Sequence, residues 1–265
     1  MMLMRRRSIW LRFRVQLFRW LASELPWMVG FVLVLAGWQW LAGGRDIPGP
    51  GRVLTALFES WQTGVLPEGA WVSLRRVGVG YSFGTIFGAG VALLALRFDW
   101  IRRMSFPFID FGRTISPLAL APLLVIWFEK GNAPPVVLIA FSVFFPTVLN
   151  WYSALSAVPE VYLRVARELE LSFVARWRQV ILPAIAPAIL TATRIHFGLA
   201  WIVVIAIEMF SQDDGLGSMI VKTQREMQVD QLFATVLSIA VIGAVVDLIL
   251  RKWQRYPRVS WGYGS

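Results

Sequence analysis

Long apolar runs limit this chain more than any other feature. Residues 26–41, 79–96, 106–128, 136–151, 183–210 and 232–250 are runs dominated by apolar residues. Most approach the roughly 20 residues that carry a helix across a bilayer. None alternates with the period of two that a membrane barrel requires. Within hydrocarbon a span must pair its own backbone groups, so the expected fold is all-α, a polytopic membrane protein with about six transmembrane helices. A mean hydropathy of +0.61 with 16% charged residues agrees with that and excludes an ordinary soluble domain. The chain has no cysteine, which removes disulfides, thiolate metal sites and a cysteine nucleophile. Its net charge of +10 is spread beside the apolar runs, a pattern that fits anionic lipid headgroups better than nucleic acid.

One stretch breaks the pattern. Residues 158–183, VPEVYLRVARELELSFVARWRQVILP, form a long polar insertion between two apolar runs. Its spacing predicts two short helices meeting near residues 169–172. The first shows Tyr162, Val165, Ala166 and Leu169 on one face, and Arg164, Arg167, Glu168 and Glu170 on the other. The second is expected over residues 172–181, with Ser172 as N-cap and Pro183 closing it.

This stretch resembles the coupling loop of permease subunits of binding-protein-dependent ABC importers. The pattern of that family is Glu-Ala-Ala, three residues, Gly, nine residues, Ile-x-Leu-Pro. It falls on Arg164, Val165, Ala166, Glu170, Val180, Leu182 and Pro183 with its spacing kept. Arg164 stands in place of the family's Glu and Glu170 in place of its Gly. The sequence that follows, PAIAPAILTATRIHFGLAWIVVIAIEM and then DDGLG, resembles the nitrate, sulfonate, taurine and bicarbonate branch, and so does a Ser-Leu-x-Arg-Val element at Ser73, Leu74, Arg76 and Val77. The resemblance implies a type I importer permease in a bacterial inner membrane, working as a homodimer with cytoplasmic ABC ATPase subunits and an extracytoplasmic solute-binding protein. ATP and Mg would then be bound by the ATPase and no cofactor by this chain. Arg164, Val165, Ala166, Arg167, Glu168, Leu169, Glu170 and Ser172 are the residues expected to meet the ATPase.

In chain order, residues 1–24 read as a basic amphipathic segment, residues 25–250 as one transmembrane domain and residues 251–265 as a basic tail. Gly80, Gly84 and Gly88, continued by Ala92, form a small-residue stripe suited to close helix packing. Arg97, Arg102 and Arg103 read as a basic loop, and Pro107, Pro117 and Pro122 interrupt the run after it. Those prolines suggest either a broken helix near a solute route or an ordinary kink. Orientation follows from charge. Eighteen Lys and Arg flank the spans on the side of the termini and of residues 158–183, against seven opposite when Arg76 is counted in the opposite loop. The positive-inside rule then places both termini and the coupling stretch in the cytoplasm.

Arg194 and Glu208 lie inside the fifth run, about 21 Å apart along an ideal helix and within about 40° of one face. Gly198, Trp201 and Ile205 share that face. Two readings stand: a face lining a translocation path, or two charges each paired with a neighbouring helix. His196 points away from this face and reads as a packing residue rather than a metal ligand. Asp247 is expected to pair with Arg251, and Asp110 with Arg113. No Walker A loop, histidine-rich metal pattern or activated nucleophile is visible, so no catalytic residue is expected. The alternative function is a self-sufficient secondary transporter or channel, which should show inverted halves and midplane ion carriers.

Overall fold

A computed structural model describes residues 26, 29–30, 32–42, 47–128, 131–211 and 214–254. The expected amphipathic segment 1–24 and most of the basic tail lie outside the described residues. The helices are α1 (Val32–Ala42), α2 (Pro50–Gln62), α3 (Val65–Arg97), α4 (Asp99–Gly112), α5 (Pro117–Phe128), α6 (Ala133–Ser156), α7 (Glu160–Glu168), α8 (Phe173–Ser211), α9 (Leu216–Arg225) and α10 (Val229–Gln254). Of these, α3, α6, α8 and α10 are long and apolar enough to cross a membrane, and α4 with α5 makes a fifth candidate bent by 92°. The first expected span falls on α1. Large apolar side chains face outward along these helices, among them Ile86, Trp127 and Leu248, which are 66%, 72% and 58% exposed. Such surfaces are stable against lipid and would be aggregation-prone in water.

The centre of the bundle is α3 packed along α6, with α8 packed against α6 and also touching α3. The small-residue stripe makes the first contact possible. A Cβ on Gly80 would lie 2.7 Å from the Ile139 Cβ, one on Gly84 2.7 Å from the Ala140 carbonyl, and one on Gly88 2.9 Å from the Phe144 carbonyl. Here the helix backbones themselves are in contact, as small residues at a spacing of four allow. Leu138, Ile139 and Val143 of α6 are fully buried there, beside Val204 and Ile207 of α8.

Three sequence expectations change, and one open alternative is decided. The second span begins at Val65, well before residue 79, because Gly64 turns the chain in the left-handed region (φ 82) and Pro67 sits in the first turn, where its missing N–H costs nothing. Arg76 is therefore a buried residue of a long helix and not part of an outer loop. The basic stretch after Arg97 is helical: Asp99 starts α4 and binds Arg102 and Arg103, each at 2.8 Å. The prolines of the third span do break it, between Gly112 and Pro117, while Pro107 and Pro122 are accommodated within α4 and α5. Finally, Pro183 does not end a helix. Residues Trp177–Ile181 widen into a π turn, with the Leu182 N–H donating to the Trp177 carbonyl. That shift of register makes room for Pro183, which has no N–H to give and whose ring would crowd the carbonyl four residues earlier. The helix therefore continues, 39 residues without interruption, to Ser211.

Candidate functional site

The polar insertion folds as a short helix, a tight turn and the start of α8. Glu160 stands in the first turn of α7 and Arg167 in the last, each favourable to the helix dipole. The helix closes with a Schellman motif: the Leu171 N–H donates to the Ala166 carbonyl at 3.1 Å and the Glu170 N–H to the Arg167 carbonyl at 3.0 Å. Glu170 occupies the left-handed position of that motif, with φ 49. This is the place where the resembling family has Gly. The left-handed turn is held here by a residue for which it is strained, at a typical cost of about 1–2 kcal/mol. Ser172 caps the next helix as expected, accepting from the Ala175 N–H at 3.3 Å.

The two faces of α7 do different work. Arg164, Arg167, Glu168 and Glu170 are exposed, and Arg164 lies 3.8 Å from Glu160 one turn away. Ala166 is 1% exposed, packed within the chain, so it supports the helix and offers no surface to a partner. Tyr162, Val165 and Leu169 line one wall of an open apolar groove of about 780 Å³, whose other walls are Ala157 at the end of α6 and Val180 and Pro183 of α8.

At the opposite end of α8, Glu208 is fully buried in a cluster of polar groups. The Arg76 guanidinium of α3 lies 2.9 Å from its Oε1. The Ser73 hydroxyl, one turn earlier on α3, approaches both carboxylate oxygens at 2.8 and 3.0 Å. The Gly217 N–H in the first turn of α9 donates to Oε2 at 3.0 Å, while the Leu216 N–H donates to the Ser73 hydroxyl at 3.0 Å. Arg76 also donates through Nε to the Asn132 side-chain oxygen at 2.9 Å, and through Nη1 to the Asp214 carbonyl. Close approach here depends on glycine: a Cβ at Gly215 (φ 128) would lie 2.5 Å from the Glu208 carboxylate, and one at Gly217 2.2 Å from the Ile205 carbonyl.

The remaining charge of the fifth span is also paired. Arg194 binds Asp247 of α10 through two nitrogens, its Nη2 at 2.9 Å, and Arg251 approaches the same carboxylate at 3.5 Å. Asp247 thus serves Arg194 first and the expected Arg251 second. Trp201 is buried, donating its ring N–H to the Ile239 carbonyl at 3.2 Å; Ile205 is half-buried and Gly198 exposed. His196 bridges α8 to α6, 3.3 Å from the Thr147 hydroxyl and 2.9 Å from the Asn150 amide. Asp110 and Arg113 pair at 3.1 Å. Sequence reasoning found Glu208 and missed its partners, although Ser73 and Arg76 belong to the Ser-Leu-x-Arg-Val element.

Comparison with known proteins fits this arrangement. Residues 84–256, about two thirds of the chain, match the family described as binding-protein-dependent transport system inner membrane component. The chain is 29% identical over 249 residues to the taurine transport system permease protein TauC of Escherichia coli, covering 89% of this chain and 90% of that one. It is 28% identical over 246 residues to the bicarbonate transport system permease protein CmpB of Synechococcus elongatus, covering 88% and 87%. Among solved structures, the fold matches a chain of the MetNI methionine ABC transporter in an inward-facing form, with TM-score 0.62 and 15% identity over 73% of this chain and 96% of that one. With its apolar spans and these relatives, the chain belongs to the binding-protein-dependent transport system inner membrane components, the multi-pass permease subunits of ABC importers.

Proposed function

We propose that this chain carries a small oxyanion-bearing solute, of the sulfonate, taurine, bicarbonate or nitrate kind, across the inner membrane. The solute is delivered by an extracytoplasmic binding protein. The permease works as a homodimer with both termini in the cytoplasm and anionic lipids around its basic flanks. ATP and Mg belong to two cytoplasmic ATPase subunits, which seat on the charged face of α7 and its closing turn through Arg164, Arg167, Glu168 and Glu170. The observation that carries the reading is the continuity of α8. It starts four residues past α7 and runs without a break to Ser211, about 58 Å for 39 residues at 1.5 Å each. Movement of α7 by an ATPase therefore tilts one lever that reaches the far side of the bundle. The solute path is assigned to the side of α8 that carries Gly198, where an added Cβ would meet nothing. Arg194, Trp201 and Glu208, each bound to a neighbouring helix, hold α8 in place rather than hold the solute, and Ile205 packs among them.

The test is uptake of radiolabelled taurine and bicarbonate into vesicles that contain the chain with its copurifying ATPase. Uptake that requires both internal or external ATP on the ATPase side and added binding protein supports the reading. Uptake driven by an ion gradient without ATP would replace it with a secondary transporter.

A further inference from the structure

The Arg76–Glu208 cluster does more than neutralise a buried charge. Three helices and one turn end on it: Ser73 and Arg76 from α3, Glu208 from α8, the backbone N–H groups of Leu216 and Gly217 from α9, and Asn132 from the turn before α6. The first two N–H groups of α9 have no partner inside their own helix. Here they are satisfied by a hydroxyl from α3 and a carboxylate from α8, so α9 borrows its N-cap from two other helices. Packing repeats the link, because Gly69 of α3 lets the Met219 sulfur of α9 come within 2.8 Å of where a Cβ would stand. Glu208 and Arg76 are 0% and 3% exposed. Separating them in a low-dielectric interior would leave two uncompensated charges, which is far more costly than moving the group together.

We propose that Ser73, Arg76 and Glu208 are positioning residues that lock α9 to the ends of α3 and α8, so that this cap of the bundle moves as one body when α8 tilts during transport. This rests on the permease reading above. In that reading α9 is a fixed part of the lever's far end, and not a flap that opens on its own.

The absence of native cysteine makes a direct test clean. Gly69→Cys with Met219→Cys places one thiol on α3 and one on α9, joined by a short bifunctional thiol reagent that can be cleaved by reduction. The full chain is purified with its copurifying ATPase, and binding-protein-stimulated ATP hydrolysis and vesicle uptake of taurine are measured before linking, after linking and after reduction. The proposal expects the linked complex to keep at least half of both activities. Loss of activity on linking that returns on reduction would overturn it, since α9 would then have to move relative to α3. A wild-type complex that shows no stimulation by binding protein refutes the proposed transport function instead.

Glu208→Gln supplies a second measurement. It keeps an acceptor for the Gly217 N–H but leaves Arg76 without its anion. The expected result is less assembled complex, because buried Arg76 loses its anion, and in the complex that does assemble at least a fivefold fall in solute moved per ATP hydrolysed. A merely structural role would reduce the amount of complex while leaving that ratio unchanged, and this outcome would overturn the proposal.

Discussion

The contact of α3 with α6 lends itself to a quantitative test, because glycines of two kinds lie on the same helix. A Cβ at Gly84 would stand 2.7 Å from the Ala140 carbonyl, 3.0 Å from the Val143 Cβ and 3.2 Å from the Ala140 Cα. Ordinary contact begins at 3.4 Å, so Gly84→Ala forces the two helices apart by about 0.7 Å, or 3.4 minus 2.7. The obstacle is backbone, which cannot rotate away as a side chain would. Overpacking of this kind costs about 1–3 kcal/mol. At Gly78 and Gly90, nothing lies within 4 Å of the added methyl. There alanine only improves helix propensity, by up to about 1 kcal/mol. The propensity gain is common to all three positions, so the difference between Gly84→Ala and either control is expected at about 1–3 kcal/mol, roughly a factor of five or more in the folded-to-unfolded ratio. Equilibrium unfolding of the detergent-solubilised chain by titration with SDS, followed by far-ultraviolet circular dichroism, reads it directly. Equal stability of Gly84→Ala and Gly78→Ala to within about 0.5 kcal/mol would refute the packing argument.

Other expectations follow from the pairs and the turn. Asp247→Asn leaves Arg194 without its carboxylate and is expected to destabilise the chain, while Arg194→Met on the same background recovers part of the loss. The coupling between the two, read by a double-mutant cycle in the same SDS titration, would be absent if the contact between α8 and α10 did not exist. Glu170→Gly removes the strain of the left-handed position and is expected to stabilise the isolated chain by about 1 kcal/mol. Hydrogen exchange at the Glu170 and Leu171 amides should slow accordingly, and faster exchange there would contradict the Schellman closure. Charge reversal at Arg164 is expected to lower ATP hydrolysis coupled to transport without changing chain stability, because its side chain is 64% exposed and its only ion pair among the described residues is a weak one at 3.8 Å. A wild-type coupling ratio in that variant would remove Arg164 from the ATPase contact.

Much of the architecture could be read from the chain, because a bilayer allows few solutions and apolar length is a direct signal for them. Broken packing at the third span was visible in Pro117, and the stripe of Gly80, Gly84 and Gly88 in its spacing. The continuity of α8 was hidden. Pro183 is a helix stop by local rules, and only a π turn, which depends on how residues 177–181 lie in three dimensions, carries the helix past it. Arg76 was misplaced for a related reason. The polar surroundings of residues 64–78 look like a loop, while burial against Glu208, 132 residues away, supplies the charge compensation that makes a helix possible there. Glu170 shows the reverse case: the sequence departs from the family pattern at that position, yet the hydrogen bonds of Leu171 and Glu170 to the preceding turn hold it in the left-handed region that Gly favours.

The most direct test of the account is to purify the full chain gently from its native membrane, identify what comes with it and measure ATP hydrolysis. The account predicts a stoichiometric ABC ATPase whose association and binding-protein-stimulated activity are lost when residues 164–172 are replaced by a Gly-Ser segment. A chain that purifies alone under conditions that keep other ABC importers intact, or an ATPase that stays bound and stimulated after that replacement, would contradict it.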